Sequence, residues 1–130
     1  MRLVTRGFTR RYSAEHEWIE VAKDGRSATL GISDYAQSKL GDVVHLELPE
    51  VGQKFKTHDS MGTIESAKAV SQIFAPVGLE VLAVNSDILN DLKKVNDDAE
   101  RTWLIKGRID NEKELNKLMT PDAYNKLDKH

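Results

Sequence analysis

Gly62-Thr63-Ile64-Glu65-Ser66-Ala67-Lys68-Ala69-Val70-Ser71-Gln72-Ile73-Phe74 sets one lysine between two alanines, with an extended arm on each side, and Ala75-Pro76-Val77-Gly78 closes the second arm. Residues 67–69 hold no Asn-Gly or Asp-Gly pair, so periodicity alone leaves a turn at Lys68 open. Small neighbours keep the ammonium accessible to a modifying enzyme. Acylation there would remove the charge and turn a flexible stem into the base of a longer arm. In a chain with 31% charged residues a solitary lysine is by default a solvated side chain. What sets Lys68 apart is the pattern around it.

Upstream, Glu17-Trp18-Ile19-Glu20-Val21 alternates polar and apolar residues, Lys23-Asp24-Gly25-Arg26 supplies a turn, and Ala28-Thr29-Leu30-Gly31-Ile32 resumes extended character, which reads as a β-hairpin. Ser33-Asp34 with Gln37 has the pattern of an N-terminal cap, and Gly41 can end the helix in a left-handed conformation, so about two turns are expected between them. Val43-Val44-His45-Leu46-Glu47-Leu48 returns to strand character until Pro49 stops it, and Val51-Gly52-Gln53-Lys54-Phe55 begins a turn and a short extended piece.

Downstream, Leu79-Glu80-Val81-Leu82-Ala83-Val84 forms a strand, Ser86 can cap a short helix through Leu92, and Trp103-Leu104-Ile105-Lys106-Gly107-Arg108-Ile109 is a late strand. Leu115, Leu118 and Met119 share a face of a helix starting near Asn111, and Thr120-Pro121 opens a last helix containing Tyr124 and Leu127. Many short strands followed by helices predict a β-rich domain with a helical C-terminal cover.

Composition narrows the function classes. A chain of 130 residues, 39% hydrophobic, suits one packed core rather than two catalytic domains. A net charge of -2 with both signs interspersed argues against nucleic acid or an anionic membrane surface as partner, and no apolar run approaches the length of a membrane span. Without cysteine the chain makes no disulfide, thiolate nucleophile or cysteine-ligated metal site. His16, His45, His58 and His130 are scattered, so no metal site is expected. No nucleophile-base pair or phosphate loop is evident either, so an independent enzyme is not expected. Residues 1–12 carry Arg2, Arg6, Arg10 and Arg11 with Thr5 and Thr9 and no acidic residue, the composition of a short transit peptide or of a basic disordered tail. The division expected is residues 1–11 as that segment and residues 12–130 as one domain with C-terminal helices.

Several separated motifs agree in order with a known family. His16-Glu17-Trp18, Gly31-Ile32-Ser33-Asp34-Tyr35-Ala36-Gln37, Leu40-Gly41-Asp42-Val43-Val44, Leu46-Glu47-Leu48-Pro49 with Val51-Gly52, the lysine motif, Ala75-Pro76-Val77-Gly78, Glu80-Val81 with Val84-Asn85, and Trp103-Leu104-Ile105-Lys106 resemble the H-protein family of the glycine cleavage system from about residue 12 to residue 127. The resemblance implies a mostly β fold with peripheral helices: a flattened β-sandwich of the lipoyl/biotinyl-domain type, or barrel-sandwich hybrid, with the modified lysine at an exposed hairpin tip. It carries (R)-lipoate over to Lys68 as N6-lipoyllysine. Biotin carriers are similar in fold but set their lysine between methionines, and lipoyl domains of 2-oxoacid dehydrogenases place an aspartate before it; here the neighbours are Ala67 and Ala69.

The role implied is that of a non-catalytic, monomeric carrier. Its arm takes an aminomethyl group from glycine decarboxylase, a pyridoxal-phosphate enzyme. The arm then presents it to the tetrahydrofolate-dependent aminomethyltransferase and is reoxidised by dihydrolipoamide dehydrogenase, after lipoylating enzymes have attached it. Glu17 would line the cleft that shelters the loaded arm and hold its ammonium, the alternative being an exposed strand-edge glutamate; Glu65 would aid recognition by the lipoylating enzyme, or be a solvated turn charge. A lipoyl relay to 2-oxoacid dehydrogenases and an unmodified interaction module are the other readings. The placement expected is a mitochondrion or related organelle, or the cytoplasm for a bacterial chain. Departures from the family pattern are Gln72, where aspartate is frequent; Ala67, where valine is usual; His45, in place of an aromatic or aliphatic residue; and Asp98-Ala99-Glu100-Arg101-Thr102, which lacks glycine before Trp103. They bear on the arm's resting site and on that loop.

Overall fold

The structure, a computed structural model, describes residues 8–127. Strands β1 (Thr9–Tyr12), β2 (Glu17–Val21) and β3 (Ser27–Ile32) lead into helix α1 (Asp34–Leu40), and β4 (Val43–Glu47), β5 (Lys54–Phe55), β6 (Ser60–Ser66), β7 (Val70–Phe74) and β8 (Leu79–Val84) follow. A 3-10 helix at Ser86–Asn90, helix α2 (Lys93–Asp97), a 3-10 turn at Ala99–Arg101, strand β9 (Ile105–Ile109), a 3-10 helix at Glu112–Lys117 and helix α3 (Pro121–Asn125) complete the order. Two antiparallel sheets result, β1-β2-β3-β9-β8-β5 and β4-β6-β7, and the fold is mostly β with short peripheral helices, as expected.

Alternation places the core between the sheets. Strand β9 reads buried, exposed, buried, exposed, buried, so Ile105, Gly107 and Ile109 face inward while Lys106 and Arg108 meet water. Ile19, Leu30, Ile64, Leu79, Val81 and Leu104 join them in one apolar cluster. Burial of these branched side chains is the main stabilising term. Two glycines sit where backbone or ring must pass close. A Cβ on Gly31 would fall 2.6 Å from Trp18 Cζ2, its cross-strand partner, and one on Gly62 would fall 2.1 Å from Glu47 O.

The first hairpin turns on Asp24, whose Oδ1 accepts the N–H groups of Arg26 and Ser27, both at 2.8 Å. Ser33 caps α1 by accepting the Ala36 N–H, and Thr120 caps α3 by accepting that of Ala123. Gly41 stops α1 as expected, though in another conformation: φ 84 and ψ -159 lie outside the left-handed helical region.

Other expectations shift. The helix foreseen from Asn111 is a 3-10 helix, because Tyr12 and Met119 exchange both backbone hydrogen bonds at 2.9 Å and draw the chain out into a β-bridge. Ser86 does not cap; Asn85 occupies that position and sends its amide to Trp103 O at 2.8 Å, and β9 starts only at Ile105. Helix α2 had no clear sequence signal, and α3 ends before Leu127.

Strand β1 carries the sheet three residues into the segment expected to be a tail or transit peptide; Phe8 before it is exposed, and residues 1–7 lie outside the described residues, as do residues 128–130. Arg10 is part of the fold. Its guanidinium lies 4.3 Å from the Trp18 ring centroid and pairs with Glu20 at 2.7 Å and Glu100 at 2.9 Å. Glu100 also accepts the Tyr12 hydroxyl at 2.6 Å and the Asp34 N–H at 2.7 Å, so the segment that lacks glycine is held to β1 and to the start of α1.

Candidate functional site

Lys68 lies at the tip of the β6–β7 hairpin. The strands pair through Glu65 and Val70, and Ser66 N–H donates to Ala69 O at 2.8 Å, leaving Ala67 and Lys68 as a two-residue turn. Neither has positive φ, so the primed turns usual in such short hairpins are not used. Ser66 does the work instead: its buried Oγ accepts the N–H groups of Lys68 at 3.3 Å and Ala69 at 3.2 Å. That serine is the local signal that a search for Asn-Gly misses.

The Lys68 side chain is exposed, and its stem passes over Gly41, where an added Cβ would stand 3.3 Å from Cε and 3.8 Å from Nζ. Among the described residues no carboxylate comes within ion-pair distance of it. The amine is therefore presented without a partner to displace.

A cleft of about 300 Å³ opens beside the tip. Ala69, Val70, Ser71 and Gln72 form one wall along the edge of β7; Tyr35, Ala36, Lys39 and Leu40 form the other along α1. Ile32 and Ile64 line it between these walls, and Glu15, His16 and Glu17 also contribute. His16, at φ 73, bonds through Nδ1 to the Tyr124 hydroxyl at 2.8 Å and stacks obliquely on Tyr35 with centroids 4.6 Å apart.

Glu17 is only 3% exposed, and β2 runs between β1 and β3, so the exposed strand-edge alternative is wrong. Its carboxylate accepts the Ser13 hydroxyl at Oε1 and the Phe74 N–H at Oε2, the latter at 3.1 Å, tying β2 to β7. Burial pushes the carboxyl up to about 7 from 4.5, against the downward pull of those two donors. Ser13, which sequence reasoning passed over, is buried and also accepts the Glu17 N–H at 3.0 Å. A serine followed after two residues by His-Glu could have signalled that tight turn.

Glu65 is half-buried, opposite His45 on β4 and Val70 on β7, away from Glu17. Gln72 lines the cleft, but its Oε1 accepts the Ser60 hydroxyl. Trp18 is buried, with its Nε1 donating to Ala99 O at 3.0 Å, and Trp103 packs half-buried beside it, so both serve the core. Among the described residues no group of three or more His, Asp or Glu is placed to hold a metal, and no helix is long and apolar enough to cross a membrane.

Comparison with known proteins gives one consistent answer. Residues 10–130 match the family model of the glycine cleavage H-protein. The chain is 46% identical over 118 residues to a glycine cleavage system H protein of Carboxydothermus hydrogenoformans, spanning 90% of this chain and 89% of that one. To that of Burkholderia cenocepacia it is 47% identical over 117 residues, 90% and 92% of the two chains. The crystal structure of a glycine cleavage system H protein from Mycobacterium marinum superposes with a TM-score of 0.76 at 30% identity, over 92% of this chain and 95% of that one. These relatives are bacterial, which lends no support to the mitochondrial placement or to a transit peptide.

Proposed function

Because this chain belongs to the glycine cleavage H-protein family, we propose that Lys68 is the residue on which it carries lipoate, as an amide on Nζ. The chain is a lipoyl carrier of the glycine cleavage system and not an enzyme. One observation carries the assignment to Lys68: the side chain is exposed on a two-residue turn, without an ion-pair partner, beside a cleft that Glu17 lines.

The residues fit such an arm. Ile32, Leu40, Ile64 and Val70 offer a hydrocarbon chain apolar surface, and the cleft volume of about 300 Å³ is of the size that small-molecule sites use. When bound, the dithiolane supplies a strained disulfide that opens readily to exchange and takes up and gives back an aminomethyl group. Glu17 then offers a carboxylate to an ammonium entering the cleft; the arriving positive charge favours the ionised form and offsets the effect of burial. Ser13 and Phe74 N–H hold that carboxylate in place, while Gln72 contributes an amide where a second carboxylate is frequent. The walls from α1 and β7 flank the occupant on two sides.

Glu65, three residues before Lys68 on the hairpin, is assigned to recognition by the lipoylating enzyme. The partners assigned are glycine decarboxylase, the aminomethyltransferase and dihydrolipoamide dehydrogenase, each docking reversibly so that tethering sets a local effective concentration. We assign the chain from β1 onward to one lipoyl-type domain acting as a monomer, in the cytoplasm of a bacterium, following its bacterial relatives.

The test is intact mass after co-expression with a lipoylating enzyme, followed by aminomethyl transfer with the partner enzymes. Wild type gains one lipoyl mass and transfers; Lys68→Arg keeps the unmodified mass, transfers nothing and retains its thermal midpoint. Equal transfer by the two proteins would reject the assignment.

A further inference from the structure

Asn96, the fourth residue of α2, commits its amide to the turn between α1 and β4. Its Nδ2 donates to Gly41 O at 2.8 Å and to Gln37 Oε1 at 3.0 Å, and its Oδ1 accepts the Val43 N–H at 2.9 Å. One side chain thus holds the last turn of α1, the glycine that stops it, and the first residue of β4. Gly41 and Val43 both meet the hairpin. The Lys68 stem passes over Gly41, and Val43 pairs with Ser66, whose hydroxyl builds the Lys68 turn.

Gly41 most needs such a hold. Its φ of 84 and ψ of -159 fall in a region that essentially only glycine enters, and a glycine backbone has the most freedom to lose. Asparagine suits the task because one uncharged group donates twice and accepts once in a fixed plane. Aspartate has the same shape and could still accept from Val43, but it lacks both donors and would face Gly41 O and Gln37 Oε1 with a charged oxygen.

We infer that Asn96 is a positioning residue for the carrier lysine: by fixing Gly41 and Val43 it sets the surface on which the Lys68 stem lies, and so the direction in which the arm leaves the turn. The inference rests on the assignment of Lys68 as the attachment site. Asn96 is half-exposed and does not line the cleft, so its effect passes through backbone and not through contact with the arm.

The experiment uses the full chain with Asn96→Asp, and Gln37→Ala as a milder second variant that removes one bond of the three. In the unmodified proteins, the nuclear Overhauser contact between the Lys68 Hε and Gly41 Hα protons is measured. In steady-state lipoylation, kcat and KM for the carrier chain are separated. Wild type shows the contact; Asn96→Asp loses it and lowers kcat about threefold or more, since presentation of the amine is less ordered, while KM stays at the wild-type value because the outer face around Glu65 is untouched. Gln37→Ala moves both readouts the same way by less, and it serves alone should Asn96→Asp not fold. Persistence of the contact with unchanged kcat, or a change in KM alone, would overturn the positioning role. Failure of wild type itself to be acylated would instead remove the Lys68 assignment, and this inference with it.

Discussion

Replacing Glu17 with Gln should make the protein more stable at alkaline pH and a poorer host for a cationic cargo. The carboxyl is harder to ionise in the fold than in the unfolded chain, since burial raises it from 4.5 to about 7. Between those values folding takes up a proton. The stability this group contributes is fully present below 4.5 and is lost as pH rises through about 7. At about 1.4 kcal/mol per tenfold change in the equilibrium, that gap corresponds to at most about 3.5 kcal/mol at pH 8.

Glutamine keeps an acceptor for the Ser13 hydroxyl or the Phe74 N–H and carries no charge at any pH, so its stability should be flat across the window. Urea denaturation at intervals from pH 4.5 to 8.5 reads the difference directly, because every other titrating group is common to both proteins. The expected result is near-equality at the acid end and an advantage for Glu17→Gln that opens from about pH 5 and levels off above about pH 7. Parallel curves would refute the account of a buried, ionising carboxylate. The lipoylated variant should also release an ammonium-bearing cargo faster than wild type at pH 8, since it gives up the charge that holds it.

Arg10→Ala should destabilise the fold by about 1–3 kcal/mol, because it leaves the partly buried Glu20 and Glu100 without their cation and uncovers the Trp18 ring; an unaltered denaturation midpoint would return residue 10 to the status of a tail. Gly62→Ala should cost about 3 kcal/mol, since its new methyl would fall 2.1 Å from the Glu47 carbonyl oxygen and neither backbone can yield without opening the β4–β6 pairing. A thermal midpoint within two degrees or so of wild type would contradict that close approach.

Strands β2, β3, β6, β8 and β9 were legible because alternation, turn residues and β-branched content all agreed, and α1 because Ser33 and Gly41 bracket it. What escaped was decided by contacts distant in sequence. Helix α2 exists because Val95 buries in the core and Asn96 bonds across to Gly41 and Val43, neither of which its own five residues announce. Met119 looks helical by spacing, yet its backbone pairs with Tyr12, more than a hundred residues away. Arg10 reads as one basic residue among four until Glu100 is placed beside it. That pairing ties the segment around Glu100 to the first strand.

The same divide runs through the site. Motif resemblance singles out Lys68 and Glu17, whereas the roles of the groups that hold them, Ser66, Asn96 and Ser13, are not legible in sequence because each is a small polar residue of ordinary composition. Their neutrality has a physical rationale. The proposed acylation would convert Lys68 from a cation into an amide, so a carboxylate paired with its ammonium would lose its counter-ion when the arm is attached. A base built from Ser66, Gly41 and Asn96 makes no such pair. Its hydrogen bonds run to backbone and to Gln37 and none depends on the charge of Nζ, so the tip can keep one geometry before and after loading. On the proposed assignment the charge a cationic cargo needs would be supplied from the cleft wall by Glu17, whose carboxylate is held by Ser13 and the Phe74 N–H and not by the Lys68 turn.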